Sequence, residues 1–414
     1  MTFDIGFDIS GRRARRPSIL DKFPGANWAA DFEASAYFAS GMLRSLSEAM
    51  SDARSTEIIV PDADGILQAI ASGQPARTSE GLHVYGAATN KCTNFCANPT
   101  DLTNISKSGD AASTLTVVDD ATALMTAGLS NICSSGKVYK LDNSAGVTSA
   151  LAIVDGETGS TGQHAVSAYM RGTGAARLSF SVTGGNAASA LTSSYVRRTF
   201  TNSPLTATDK MRVVAEPGTV VFFVLNQLEE GGRATPPIVT AGTATPRAAC
   251  VPAVAQGTGG TPFEGYDPAQ ADLTFTCEWE GVPALTGTHR GLVEIRLNAS
   301  LTTDRTYLFI ESSNQLKLGV ADDVTWRSGP AFSVGAYDDG LRHRATCYLN
   351  RTTGDIKLSV DGSVPVTANK IGQMPSGFTS MTLGHGHAAN HANGVVKSVT
   401  LASGDFFDAW RTAT

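Results

Sequence analysis

The stretch Gln227-Leu228-Glu229-Glu230-Gly231-Gly232-Arg233-Ala234-Thr235-Pro236-Pro237-Ile238-Val239-Thr240, followed by Ala248-Ala249, decides how the rest of the chain is read. It comes directly off the run Val220 to Leu225, which is continuous, short, and composed of β-branched, aromatic and Leu residues. Such a run reads as a buried strand. A core strand therefore ends here, and the chain leaves its sheet through two glycines and an extended Pro-Pro segment.

Composition agrees with a β protein. Charged residues are 17% of the 414, below the ~25% usual for soluble domains, and 42 glycines point to many turns. The length suffices for two or three domains, each with its own core. Net charge is −6 and the basic residues are scattered except near the start, so the electrostatic footprint of a nucleic-acid binder is missing. The six cysteines, at 92, 96, 133, 250, 277 and 347, form no CxxC pair. Cys277 alternates in phase with Phe275 and Trp279, and Cys347 with Ala345 and Leu349, which places both on core faces as small hydrophobes. All six are read as reduced. No basic flank joined to an apolar core opens the chain and no apolar run approaches a membrane span, so synthesis in a cytoplasm without membrane insertion is expected.

A second stretch precedes the first: Asp64-Gly65-Ile66-Leu67, then Pro75-Ala76-Arg77, Gly81-Leu82-His83-Val84 and Ala88-Thr89-Asn90. The two together resemble fibre and spike proteins of tailed phages or phage-derived particles, in which such a lead-in precedes a jelly roll of the carbohydrate-binding-module type and "QLE-G-ATPxIxT" follows its last strand. Further on, Leu341-Arg342-His343-Arg344-Ala345-Thr346, Gly354 to Gly362 and Gly394 to Val399 resemble, in the same order, the concanavalin A-like or laminin-G-like sandwich, with Leu341 where that family carries Trp.

The expected fold is all-β, with two β-sandwich (jelly-roll) domains in tandem behind an N-terminal anchor and one short helix. Residues 1–30 form the anchor: Phe3, Ile5 and Phe7 alternate as a half-buried strand, and Arg12, Arg13, Arg15 and Arg16 form a cationic knot suited to an acidic particle. The alternative is a solvated tail. Residues 31–89 hold a lead-in helix, from the three- and four-residue spacing of Leu43, Leu46, Ala49 and Met50, and then strands at Ile58–Val60 and Ile66–Ile70. Residues 90–249 are the jelly roll, 250–268 a Gly/Pro-rich linker, and 269–414 the concanavalin A/laminin-G-like sandwich.

Several side-chain groups have possible chemistry. Glu278 and Glu280 lie two apart on a strand, hence on one face, as a glycosidase pair would, although two acids on an outer face are ordinarily just solvated. His385, His387 and His391 lie within seven residues and could meet one divalent ion, or form an exposed loop. Trp326, Tyr337, Asp338 and Asp339 offer a ring and carboxylates of the kind that grip a sugar, or cap a core. Walker A, GxGxxG, HExxH, GxSxG and EF-hand motifs are missing, so no cofactor and no catalytic residue are assigned. The resemblance implies a structural virion protein, head spike or tail fibre, assembled in the host cytoplasm. Its implied partners are other virion proteins through the N-terminus, host cell-surface polysaccharide, and copies of itself, as a trimer or a vertex-associated pentamer. The alternatives are a capsule depolymerase acting through Glu278 and Glu280, and a purely architectural decoration protein.

Overall fold

The computed structural model describes residues 19–280, 289–296, 304–313, 315–321, 326–327, 329–332, 339–370, 374–375, 378–386 and 390–413. They fold as two antiparallel β-sandwiches, one carried inside the other. In the larger, one sheet runs in the order Met42–Arg44, Ala36–Ala39, Trp28–Asp31, Gly394–Ser403, Asp272–Glu280, Arg342–Asn350, Asp355–Val360, Val366–Asn369, with Gly81–Val84 also paired to Gly394–Ser403. The facing sheet contains Leu316–Ala321, Arg305–Ile310, Arg290–Arg296, Ser380–Leu383, Pro252–Val254 and Met50–Asp52. Period-two alternation makes the core: Phe275, Cys277 and Trp279 from the first sheet meet Ile295, Leu308 and Leu318 from the second. All six cysteines are buried free thiols. The large share of strand partners from opposite ends of the chain, such as Trp28 opposite Leu401, makes this body discontinuous in sequence.

The smaller sandwich leaves and returns through a two-strand neck. Ala88–Asn90 pairs with Thr245–Arg247, Asn90 opposite Thr245 and Ala88 opposite Arg247. Between them, one sheet holds Ile105–Gly109, Ala150–Glu157, Lys210–Ala215 and Ala175–Phe180, and the other holds Thr114–Asp119, Lys137–Asn143, Thr219–Glu230, His164–Thr173 and Val196–Asn202. Tyr139, Val166, Met170, Phe180, Val213 and Phe223 fill the space between them. A hairpin, Ile58–Pro61 with Leu67–Ile70, is wedged between the two bodies. Its alternation serves both cores, because Ile58 and Val60 enter the larger one while Ile59 and Leu67 pack with Leu124, Leu129 and Leu225 of the smaller.

Four expectations need correction. The sandwiches are nested, not in tandem. The stretch 250–268 is no linker: Pro252–Val254 pairs with Met50–Asp52, Phe263 and Tyr266 are buried in the larger core, and Glu264 holds Arg44 at 2.7 Å. The helix expected over 31–52 shrinks to Leu46–Ala49, closed by a Ser45/Glu48 capping box. Ahead of it, Ser40 and Gly41 both take positive φ and close a two-residue hairpin, and of the spaced residues only Leu46 and Ala49 are helical, Leu43 lying on the strand Met42–Arg44 and Met50 opening the strand Met50–Asp52. Nor is this helix alone, since Ile19–Lys22, Ala121–Thr126 and Phe407–Arg411 are also helical. Finally, residues 19–30 are not part of an anchor. Ile19 and Phe23 pack on Trp410, whose indole N–H donates to Pro24 O at 3.1 Å, and Trp28 begins a central strand.

Candidate functional site

The neck is organised by the stretch that opened the reading. Strand Thr219–Glu230 carries a β-bulge: Tyr169 faces Val224 and Ser167 faces Gln227, so Leu225 and Asn226 together oppose one residue. Leu225 takes φ 55°, which is strained for a branched side chain, and is held by burial. Beyond the bulge the polar side chains turn back on the exit segment. Gln227 Oε1 accepts from Ile238 N at 2.8 Å. Glu229, fully buried, accepts from Gln227 Nε2 at 2.7 Å, Thr235 N at 2.6 Å and Thr235 Oγ1 at 2.7 Å. Asn90, on the entering strand, donates to Asn226 O at 2.9 Å and Ile238 O at 2.8 Å and accepts from Leu228 N and Cys92 N. These bonds tie the two crossings of the neck together.

Three arginines surround this clasp. Arg197 donates to Ser167 Oγ at 2.9 Å and Thr235 O at 2.6 Å, and Arg233 reaches Asn393 O of the larger body at 2.6 Å. Arg247, 2% exposed, donates to Gly86 O at 2.9 Å and Pro236 O at 3.3 Å. Arg233 and Arg247 lie 5.8 and 5.9 Å from the Tyr85 ring centroid. Burial lowers the pKa of both guanidinium groups, partly opposed by Tyr85 and Glu229.

Two clefts flank the neck and share Pro246 and Arg247. One, of about 200 Å³, is lined by Thr56, Glu57, Pro237, Val239 and Thr245 among others. The other, of about 320 Å³, is lined by Ala87, Ala88, Thr89, Lys91 and Glu230. Gly156 packs so closely on Lys91 O that a Cβ would stand 2.0 Å away, which fixes the Lys91 backbone at the cleft edge. The Lys91 ammonium donates to Thr158 O and stands 3.1 Å from His164 Nε2 and 3.7 Å from Glu230 Oε2. A cation, a carboxylate and a hydroxyl thus border an apolar floor. That set can hydrogen-bond hydroxyls while a ring's C–H face rests on Ala and Pro.

Of the residues singled out from sequence, those that are described lie elsewhere. Phe3, Ile5, Phe7, Arg12, Arg13, Arg15 and Arg16 are outside the described residues, as are Tyr337, Asp338 and His387. Trp326 sits in a two-residue strand with its backbone opposite Ala321. Asp339 is exposed, caps Leu341 N at 2.7 Å and stands 3.2 Å from His343 Nε2, whose Nδ1 meets Asp361 at 2.9 Å. Burial opposes charge on His343, but the two carboxylates outweigh it and raise its pKa. Glu278 pairs with Arg342 and, at 4.0 Å, with Arg344, while Glu280 holds Lys397 at 3.1 Å. His385 and His391 face each other across a strand pair with ring centroids 4.7 Å apart. Among the described residues no group of three or more His, Cys, Asp or Glu is placed to hold a metal. Lys91, Glu230 and Arg247 were missed as a group, because they stand far apart in sequence and only the neck unites them.

Neither a protein-family model nor a curated protein matches this sequence. Solved structures do. The CBM40 domain of a Ruminococcus gnavus IT-sialidase, bound to α2,6-sialyllactose, is 12% identical over 34% of this chain and 84% of that one, with a TM-score of 0.29. A leech intramolecular trans-sialidase is 13% identical over 35% of this chain and only 24% of its own, at a TM-score of 0.29. A heptameric SAP-like pentraxin from Limulus polyphemus is 13% identical over 36% of this chain and 71% of its own, at a TM-score of 0.25. At such identities and TM-scores these likenesses assign neither ligand nor activity.

Proposed function

We propose that this chain is a structural protein of a tailed-phage or phage-derived particle, a head spike or tail fibre, which contacts host-surface glycan through its neck cleft. The observation that carries the glycan reading is the cleft of about 320 Å³ in which Lys91, Glu230 and Thr89 stand over Ala87, Ala88 and Pro246. The particle reading is supported by the resemblance of residues 64–90 and 227–249 to spike and fibre sequences. Both stretches meet at this neck, where Asn90 bonds Ile238 O. One shallow site would bind weakly, so attachment relies on several copies per particle. Residues 1–18 are the proposed anchor, and Trp326, Tyr337, Asp338 and Asp339 are a proposed outer contact. Glu278 and Glu280 are committed to arginine and lysine partners, so the depolymerase reading is not adopted.

The test is retention of the oligomeric full chain on purified host surface polysaccharide, with particle incorporation of a chain lacking residues 1–18 as a separate measurement. Retention is expected, together with loss of incorporation without loss of folding. A blank binding result from the oligomer would favour the architectural alternative, and normal incorporation of the shortened chain would refute the anchor.

A further inference from the structure

The neck holds more positive charge than it neutralises. Arg197, Arg233 and Arg247 all donate to neutral carbonyl or hydroxyl oxygens, and none of the three forms an ion pair with a described residue. The one buried carboxylate beside them, Glu229, spends its hydrogen bonds on Gln227 and Thr235. The Nε atoms of Arg197 and Arg247 are buried without a hydrogen-bond partner. Burial of guanidinium charge is costly where Glu229 offsets it only in part, and an anion brought to it recovers part of that cost. Arg247 lines both clefts, and in the larger it stands with a second cation, Lys91.

We infer that the cleft between Lys91 and Arg247 takes the carboxylate of an acidic sugar, a uronic or related acid within the host polysaccharide. This rests on the glycan reading above and names the chemical class that reading leaves open. A carboxylate answers the lysine point charge, and Arg247, whose Nη groups already donate to Gly86 O and Pro236 O, adds its positive field. The apolar floor of Ala87, Ala88 and Pro246 suits the C–H face of the ring that bears it, and about 320 Å³ lies at the small end of ligand pockets, room for a single ring. Glu230, its side chain 64% exposed at the rim and 3.7 Å from Lys91, opposes the incoming charge and must swing aside. Its charge competes for Lys91 and so weakens binding of the carboxylate.

Calorimetric titration of the full chain with glucuronate, glucose and inorganic phosphate at fixed ionic strength tests this. Glucuronate should bind at least tenfold more tightly than glucose or phosphate. Lys91→Met should weaken it at least tenfold, whereas Glu230→Gln should tighten it a few fold. The opposite signs of the two changes separate a binding role from a folding defect. Equal binding of glucuronate and glucose, preference for phosphate, or an unaltered Lys91→Met variant would each overturn the inference. Its failure is distinguishable from failure of the function. Retention on host polysaccharide without glucuronate selectivity would reject only the carboxylate, while glucuronate binding with no retention would reject only the attachment role.

Discussion

Asn90 carries more of this architecture than its size suggests. Its single amide serves two carbonyls and two N–H groups drawn from both crossings of the neck, and it is fully buried. Asn90→Ala would strand those four groups away from water, and a loss of about 3 kcal/mol or more is expected from urea denaturation. A loss under about 1 kcal/mol would mean that the clasp is dispensable. His83 offers a pH test. It is 1% exposed, and the Thr78 hydroxyl, which donates to Pro61 O, accepts from its ring nitrogen at 2.9 Å. Burial, reinforced by Lys397, lowers its pKa from 6.5 to about 3. The folded chain therefore keeps the ring neutral while the unfolded chain takes up a proton below pH 6.5. Stability present in full above that value should fall as pH drops toward 3, by up to about 1.4 kcal/mol per pH unit from this group. His83→Gln should flatten that part of the profile; an unchanged slope between pH 6.5 and 4.5 would refute the assignment.

At the scale of elements, alternation was the legible signal. Phe275, Cys277 and Trp279 are buried together as their period-two spacing implied, and the strands at Ile58 and Ile66 appear with the turn between them. Periodicity names a strand's faces but not its partners. Nothing local in Trp28–Asp31 says that it pairs with residues 398–401, and so the anchor was expected to extend as far as residue 30. The lead-in helix is shorter than its spacing implied for a related reason, since Leu43 and Met50 belong to the strands on either side of Leu46–Ala49. The wedge hairpin shows what alternation can also do when both faces are buried. Ile59→Ala removes its contact with the inserted body alone and should cost about 2 to 4 kcal/mol. Limited proteolysis should then cut first near the neck. First cleavage within the larger sandwich would show that the hairpin does not join the two bodies.

The whole molecule is a sandwich interrupted by a sandwich, and this makes fragments behave unlike those of a tandem protein. Residues 269–414 alone lack the strands at Trp28, Met50, Gly81 and Pro252 that complete both sheets, so they should show no cooperative melting by circular dichroism. Joining Asn90 to Thr245 by a short turn, with 91–244 removed, should leave a folded larger body, because those two residues already face each other. A cooperative transition from 269–414 by itself would refute the nesting. The candidate site was illegible for the same reason as the nesting: Lys91 and Arg247 are isolated cations in Ala- and Thr-rich sequence, and they become a pair only because the insertion begins beside one and ends beside the other. The measurement that bears most directly on function is hydrogen–deuterium exchange of the full chain with and without an acidic host polysaccharide. Protection confined to residues 86–91 and 228–247 is expected; protection elsewhere, or none at saturating polysaccharide, would contradict a neck that binds glycan.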